Sequence, residues 1–136
     1  MALSPTLAND DTEAATKKEA VAAMQTWLGE IDANSYAKSW SDSAKSFQKA
    51  VTSDQWVTAL NQVRTPLGKS LSRNLASALH QTAIPKVGVA ETMKGNWVIA
   101  QFDSSFENLK SARETVTFEK EADGTWRAAG YYIKPQ

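Results

Sequence analysis

The side chains best placed for chemistry in this chain of 136 residues are those of Arg64, Arg73 and Glu114. Each lies at the edge of an apolar pattern: Arg64 ends a predicted helix, Arg73 lies in the next segment of the chain, and Glu114 opens a later strand. We therefore expect the three to meet at the sheet. This meeting allows two hypotheses: an ion-pair network that fastens the helix to the sheet, or guanidinium forks that bind a carboxylate or phosphate. The structural network is the preferred hypothesis.

Aromatic residues indicate a second candidate site. The chain contains five Trp, four Phe and three Tyr, and an apolar hollow between a curved sheet and its helices is a common place for a small ligand. We expect Tyr36, Trp40, Phe102 and Tyr131 to line such a hollow. Packing of the same residues in the core is the simpler alternative.

Motifs for other chemistry are missing from the sequence. It has no Gly-rich phosphate loop, no Gly-x-Ser-x-Gly elbow and no cysteine. The single histidine, His80, cannot by itself form a typical zinc site, and we expect it on the surface or at a strand end. Asp10, Asp11 and Glu13 lack the spacing of a calcium loop and are interpreted as solvated charge. We therefore assign no catalytic residue, no metal ligand and no cofactor.

The overall charge argues against two classes of partner. Fifteen Lys and Arg balance fifteen Asp and Glu, and no basic block forms a footprint for nucleic acid or an anionic membrane. No apolar run approaches the ~20 residues that span a bilayer, so we expect no membrane insertion. The absence of cysteine does not decide the compartment.

The first fifteen residues differ from the rest of the chain. Few are large and apolar, and none recur with a helical period, so residues 1–15 are interpreted as a disordered lead-in. The stretch ALSPTLA, residues 2–8, resembles the small-residue end of a cleaved secretory signal, and an ordinary terminus is the alternative. Residues 16–136 are long enough for one α+β domain.

Capping signals predict three helices in the first half of that domain. Thr16 with Glu19, and Thr52 with Gln55, each form the pattern of a capping box, and Asn34-Ser35 can begin a helix between them. The predicted helices cover about residues 16–33, 36–51 and 52–64.

Pro66 marks the end of the third helix, because it disfavours helical geometry at the residue before it. The segment after Pro66 is ambiguous. Leu67, Leu71, Leu75 and Leu79 recur with a period of four, which suits one face of a new helix begun by Pro66 and equally suits a strand.

The second half of the domain alternates as strands do. Predicted strands cover residues 96–106, 113–122 and 125–133, Asp123-Gly124 is a hairpin signal, and Gly130 suggests a bulge. Pro85 to Gly88 is predicted as a loop and Lys94-Gly95-Asn96 as a turn. Helices followed by consecutive antiparallel strands predict an α+β fold with the helices on one face of the sheet.

Several segments together resemble a known family. AMQTWLGEIDANSYAKSW, QWVTALNQVRTPLGKSLSRNL, VIAQFDSSFENLKSARETVTFE and DGTWRAAGYYIK are similar to the bacterial family catalogued as domain of unknown function 4019. The resemblance implies the cystatin-like or nuclear transport factor 2-like class, with a curved four-stranded antiparallel sheet, and so favours a strand over residues 69–82. Family members are commonly exported, which implies a periplasmic or secreted protein. The resemblance brings no activity with it.

We infer that the domain is a non-catalytic module that binds a small ligand or a partner protein, as a monomer or a homodimer. One alternative is an enzyme resembling ketosteroid isomerase, with Asp103 or Tyr131 in a closed apolar pocket. The other is a structural or oligomerising domain.

Overall fold

The computed structural model describes the backbone at residues 5–85 and 92–136, and the side chains at residues 12–84 and 93–136. The helices are α1 (Pro5–Asp32), α2 (Tyr36–Ser41), α3 (Lys45–Ala50) and α4 (Ser53–Val63), followed by a 3₁₀ turn at Thr65–Leu67. The strands are β1 (Ser70–Pro85), β2 (Thr92–Phe106), β3 (Leu109–Lys120) and β4 (Trp126–Pro135). The predicted α+β fold is confirmed.

The strands form one curved antiparallel sheet in the order β1-β2-β3-β4, so β1 and β4 are its edges. Alternate residues of β2 and β3 face the helices and are buried, in the period of two that a half-buried sheet requires. Together with apolar residues of α1, α2, α3 and α4 they form the core. The inward residues of these two strands include Val98, Ala100, Phe102, Val116 and Phe118.

Helix α1 begins at Pro5, so the predicted start at Thr16 is wrong and residues 5–15 of the lead-in are helical. The prediction of disorder rested on the small number of large apolar residues. Alanine, however, favours a helix even where no side chain is buried. Proline is also well accepted at the first helical position. Among the side chains described in α1, the first buried one is Ala20, so the packing of the helix still begins where the apolar pattern does.

The predicted second helix is two short helices, and the expectation of three helices is therefore wrong. Ala44 between α2 and α3 is extended, and its N–H donates to the carbonyl of Ala128 on β4 at 2.8 Å. A continuous helix would use that N–H internally. The break thus fastens this part of the chain to the sheet edge.

The end of α4 and the start of β1 agree with the sequence prediction. Arg64 caps α4, and a strand rather than a helix comes after the 3₁₀ turn. Gly68 has a φ of 77°, and a Cβ there would lie 2.8 Å from Oε1 of Glu107, so glycine is required at this turn.

The predicted turn at Lys94-Gly95-Asn96 is wrong, because β2 already begins at Thr92. Gly95 serves packing instead: a Cβ at this position would lie 3.0 Å from the ring of Trp97. The predicted loop from Pro85 to Gly88 lies outside the described residues, apart from Pro85 at the end of β1. The hairpin at Asp123-Gly124 is confirmed, with a φ of 82° at Gly124.

The capping box of α4 offers a test of helix initiation. The Thr52 hydroxyl accepts from the N–H of Gln55 at 3.2 Å, and the Thr52 N–H donates to the Gln55 side chain at 2.9 Å. Thr52→Ala is expected to lower the free energy of unfolding by about 1 kcal/mol, since the first turn of the helix loses one acceptor. Thr52→Ser, the matched control, keeps a hydroxyl that can accept the same hydrogen bond and should retain most of the wild-type stability. Urea unfolding measures both, and equal stability of the alanine variant and the wild type would contradict the role of the cap.

Candidate functional site

The structure brings two of the three predicted ionisable residues into direct contact. Arg73 on β1 donates from Nε to Oε1 of Glu114 on β3 at 2.7 Å, and from its second terminal nitrogen to Oε2 at 3.2 Å. Both side chains point to the face of the sheet that the helices cover. Arg64 touches neither of them and joins the cluster through a residue that the sequence analysis did not include.

That residue is Asp32, the last residue of α1. Its carboxylate accepts two hydrogen bonds from Arg73, at 2.8 and 3.0 Å, and one from Arg64 at 3.2 Å. A signal for it exists in the sequence, because a carboxylate at the negative C-terminal end of a helix is unfavourable unless a cation compensates it. The end of α1, the end of α4 and the strand β1 therefore meet at one carboxylate.

Glu114 is fully buried and has four hydrogen-bond donors. Besides the two from Arg73, Ser104 on β2 donates to Oε1 at 2.5 Å and the hydroxyl of Tyr131 on β4 donates to Oε2. Ser104 was also missed, although a polar residue in the inward run of β2 is a recognisable signal. A buried carboxylate is tolerated only when its acceptor positions are used in this way.

Arg64 is almost completely buried and is held from three directions. Its guanidinium carbon lies 4.5 Å from the centre of the Phe106 ring, and one terminal nitrogen donates to the carbonyl of Gly68 at 2.5 Å. The other terminal nitrogen bonds Asp32. Arginine is suited to this position because its flat group can stack on an aromatic ring while it donates at its edge.

The electrostatics of this cluster are balanced. Burial by itself raises the pKa of Asp32, but hydrogen bonds and charge from Arg73, and then from Arg64, hold that pKa below its ordinary value. Burial lowers the pKa of Arg73, and its two carboxylate partners more than offset this and raise it. Burial, followed by the charge of Glu114, raises the pKa of Tyr131 well above its usual value. Two cations and two anions compensate each other, which favours the structural hypothesis over a site for an external anion.

The four aromatic residues predicted to line a hollow lie in or against the core, and Tyr131 also lines a small cavity of about 210 Å³ beside α4. Phe102 and Tyr36 are buried members of the core, and Trp40 and Tyr131 pack against it. The Tyr36 hydroxyl shares a 2.8 Å hydrogen bond with Thr65, and the Trp40 indole donates to the carbonyl of Val51 at 2.7 Å. Their polar atoms are occupied by the fold, so the core alternative describes these four residues.

The residues named for an acid/base pocket are separated by the sheet. Asp103 lies on the outer face and pairs with Arg113 at 2.7 Å, a bond that, followed by the charge of Arg113, lowers its pKa. Tyr131 lies on the inner face, with its hydroxyl bound to Glu114. A base that is exposed and already ionised differs from the buried base that the enzyme hypothesis requires.

A groove with a volume of about 740 Å³ lies between α1 and β1, and Leu75, two positions from Arg73, forms part of its wall. Apolar residues of both elements form part of its wall, and polar residues of α1 form the rest. The lining residues are Glu13, Ala14, Lys17, Lys18, Val21, Ala22, Gln25, Leu75 and Ala78. Sequence reasoning missed this groove because it depends on the N-terminal extension of α1.

His80 stands close to this groove and joins three elements. One ring nitrogen lies 2.9 Å from both carboxylate oxygens of Glu13 on α1, and the other lies 3.0 Å from the side-chain oxygen of Asn96 on β2. Glu13, predicted as solvated charge, thus takes part in a contact to the sheet. No described group of three or more His, Asp or Glu side chains is arranged to hold a metal ion.

Residues 22–131 match the protein family described as "Protein of unknown function (DUF4019)". The chain belongs to this family. No curated protein matches the chain. No described helix is both long enough and apolar enough to cross a bilayer.

The charged cluster is tested by removing its partners singly and together. Arg73→Ala and Glu114→Ala are each expected to lower the free energy of unfolding by about 3–5 kcal/mol, because each leaves the buried cluster with one charge that no opposite charge compensates. The double variant should lose clearly less than the sum of the two losses. Denaturant unfolding gives all three values.

The control for this cycle is the exposed pair of Asp103 and Arg113 on the same sheet, whose alanine variants should lose far less. If the arginines instead await an external anion, Arg73→Ala will be neutral or stabilising, and phosphate will raise the melting temperature of the wild type. That result would make the cluster a binding site.

Proposed function

We propose that this member of the DUF4019 family is a non-catalytic binding domain that takes an extended, acidic segment of a partner protein along the outer edge of β1. The observation that carries the proposal is the juxtaposition of a strand edge that no described strand pairs with and the groove of about 740 Å³ beside it. An added strand would satisfy the backbone of the edge and place every second side chain in the groove.

The edge of β1 has the properties that attract a further strand. It is 16 residues long, and among the described residues no backbone group outside the sheet bonds to its 71–84 stretch. Leu71, Leu75 and Leu79 are 54, 48 and 53 % exposed. Proteins usually protect such an edge with lysine, proline, β-bulges or a covering loop, because long apolar edges recruit other chains. The pairing of β1 is irregular at three places, at 70–72, 75–77 and 81–83, and the stretch between the last two is regular. β1 has no lysine, and its one proline is its last residue.

The charge of the groove favours an acidic partner. Lys17 and Lys18 line it, and its one carboxylate, that of Glu13, is engaged with His80. Self-association through β1 supplies no counter-charge, because the sequence SLSRNLASALHQTAIP contains no Asp or Glu. A segment of another protein in which apolar and acidic residues alternate would provide both.

Two further parts of this proposal rest on the family resemblance. One is membership of the cystatin-like or nuclear transport factor 2-like class, which is supported by helices packed on one face of a curved antiparallel sheet. The other is export to the periplasm or beyond. An exported domain with an open strand edge would meet its partners outside the cytoplasm.

The test uses two synthetic nine-residue peptides that alternate Val or Leu with polar residues, one carrying three Glu and the other three Lys. In a titration followed by NMR, the acidic peptide is expected to shift the amides of residues 71–82, protect them from solvent exchange, and bind about tenfold more tightly than the basic peptide. Lys17→Glu combined with Lys18→Glu should reverse that preference.

Leu75→Asp should abolish binding, whereas Val63→Asp, a matched change at a similarly exposed apolar residue of α4, should not. Equal binding of both peptides, or shifts confined to another surface, would contradict the proposal. Protection of β1 that grows with protein concentration in the absence of peptide would identify a second copy as the occupant and would also overturn it.

A further inference from the structure

The imidazole ring of His80 on β1 lies between oxygen acceptors from two other elements. Its Nδ1 is 2.9 Å from both carboxylate oxygens of Glu13 on α1, and its Nε2 is 3.0 Å from Oδ1 of Asn96 on β2. The side chain of His80 is 9 % exposed and that of Glu13 is 49 % exposed. The ring is therefore largely enclosed, while its anionic partner remains in contact with solvent.

This arrangement is complete only when both ring nitrogens carry a proton. A neutral imidazole has one N–H and can donate to one acceptor, whereas an imidazolium donates at both nitrogens and compensates the charge of a carboxylate. Histidine is the side chain whose charge ordinarily changes between about pH 5 and pH 8, a range in which Glu stays anionic and Lys cationic. We therefore expect the contact between Glu13 and His80 to strengthen when the ring gains its second proton.

The charged neighbours of this contact come from both elements that pack against His80. On α1, Lys17 and Lys18 line the groove beside β1 together with Glu13. On β2, Lys94 lies near the start of the strand. Among the described residues, Glu13 is the charged side chain that directly contacts the ring. Its carboxylate is therefore the group whose compensation depends on the state of His80.

The first turns of α1 bury no described side chain. None of the side chains at residues 12–19 is buried, and packing into the core begins at Ala20. The contact of Glu13 with His80 ties these turns to β1. Because the same turns carry Glu13, Ala14, Lys17 and Lys18, a contact that fixes them also fixes one wall of the groove.

We propose that His80 and Glu13 form a proton-dependent latch, which holds the first turns of α1 against β1 and sets the affinity of the groove for an acidic segment. The second part of this inference rests on the proposed function. With the ring protonated, the carboxylate of Glu13 is compensated and the groove presents the charges of Lys17 and Lys18. With the ring neutral, Glu13 is an uncompensated anion in the wall and repels an acidic segment.

The latch is tested first without peptide, by an NMR titration of the full chain from about pH 5.5 to about pH 8. His80 is the single histidine of the chain, so its ring signals are readily assigned. Both ring nitrogens are expected to carry protons at the acidic end, and the amide signals of residues 13–19 should change with the same midpoint as the ring. Glu13→Gln should uncouple the helix from the ring, whereas Glu19→Gln, which removes another exposed acid of α1, should not.

The regulatory role is tested with the acidic nine-residue peptide. Its affinity for the wild type is expected to fall about fivefold from the acidic to the alkaline end of the titration, because one carboxylate of the groove loses its compensating charge. His80→Gln should show the weaker affinity at every pH. Glu13→Gln should remove most of the loss at the alkaline end, and Glu19→Gln should keep the profile of the wild type.

Three results would overturn the inference. The first is a singly protonated ring at about pH 5.5, which would mean that the amide nitrogen of Asn96 faces it. The second is that the signals of residues 13–19 do not follow the titration of the ring. The third is bound peptide with equal affinity at both ends of the titration. If the peptide binds at no pH, the proposed function fails together with its regulation, and the titration without peptide still decides whether the latch exists.

Discussion

The fold depends on the buried carboxylate of Glu114 and the guanidinium group of Arg73 that compensates it. A lone charge in this position would cost several kcal/mol, so the carboxylate can be buried only if β1 brings Arg73 to within hydrogen-bond distance. Arg73 in turn requires Asp32 at the end of α1, and Asp32 also receives Arg64 from the end of α4. One electrostatic requirement therefore sets the positions of two helix ends and of β1 on the sheet.

This requirement connects the fold to the proposed binding surface on β1. Helix α1 forms one wall of the groove beside β1 and one wall of a second cavity, of about 470 Å³, beside the β3–β4 hairpin. Its C-terminal end is fixed by the ion network, and Glu13 near its other end contacts His80 on β1. Arg73 and His80 of β1 are thereby engaged in the fold, while no described strand pairs with its outer edge. A domain of this kind can present a strand edge without losing its own structure, because the edge contributes little to the core.

The sequence predicts those parts of the fold that depend only on residues close together in the chain. The capping box at Thr52 and Gln55, the end of a helix before Pro66 and the strand alternation around Val116 each depend on neighbouring residues. The meeting of Arg73 with Glu114 was predicted because charged residues at the edges of apolar patterns face the core boundary. Asp32 and Ser104 were missed, since a partner distant in sequence is identified only when the topology places it.

Other features were hidden because tertiary contacts override local signals. The break at Ala44 is stabilised by the carbonyl of Ala128, more than eighty positions away in the chain. Gly95 resembles a turn residue, but it lies inside β2, where a Cβ would come within 3.0 Å of the ring of Trp97. The two cavities depend on how far α1 extends and on how it lies across the sheet. Neither the length of α1 nor its position on the sheet can be derived from the spacing of apolar residues in the sequence.

Native-state hydrogen exchange of Arg73→Met measures most directly whether the ion network holds these elements together. Arg73→Met keeps the bulk of the side chain and removes its charge and its donors. If the network fixes both helix ends and β1, exchange will accelerate at residues 28–33, 65–68 and 71–78, while the distant end of the β3–β4 hairpin, at residues 118–127, changes least. Equal acceleration throughout the domain, or acceleration confined to the neighbours of residue 73, would contradict this account.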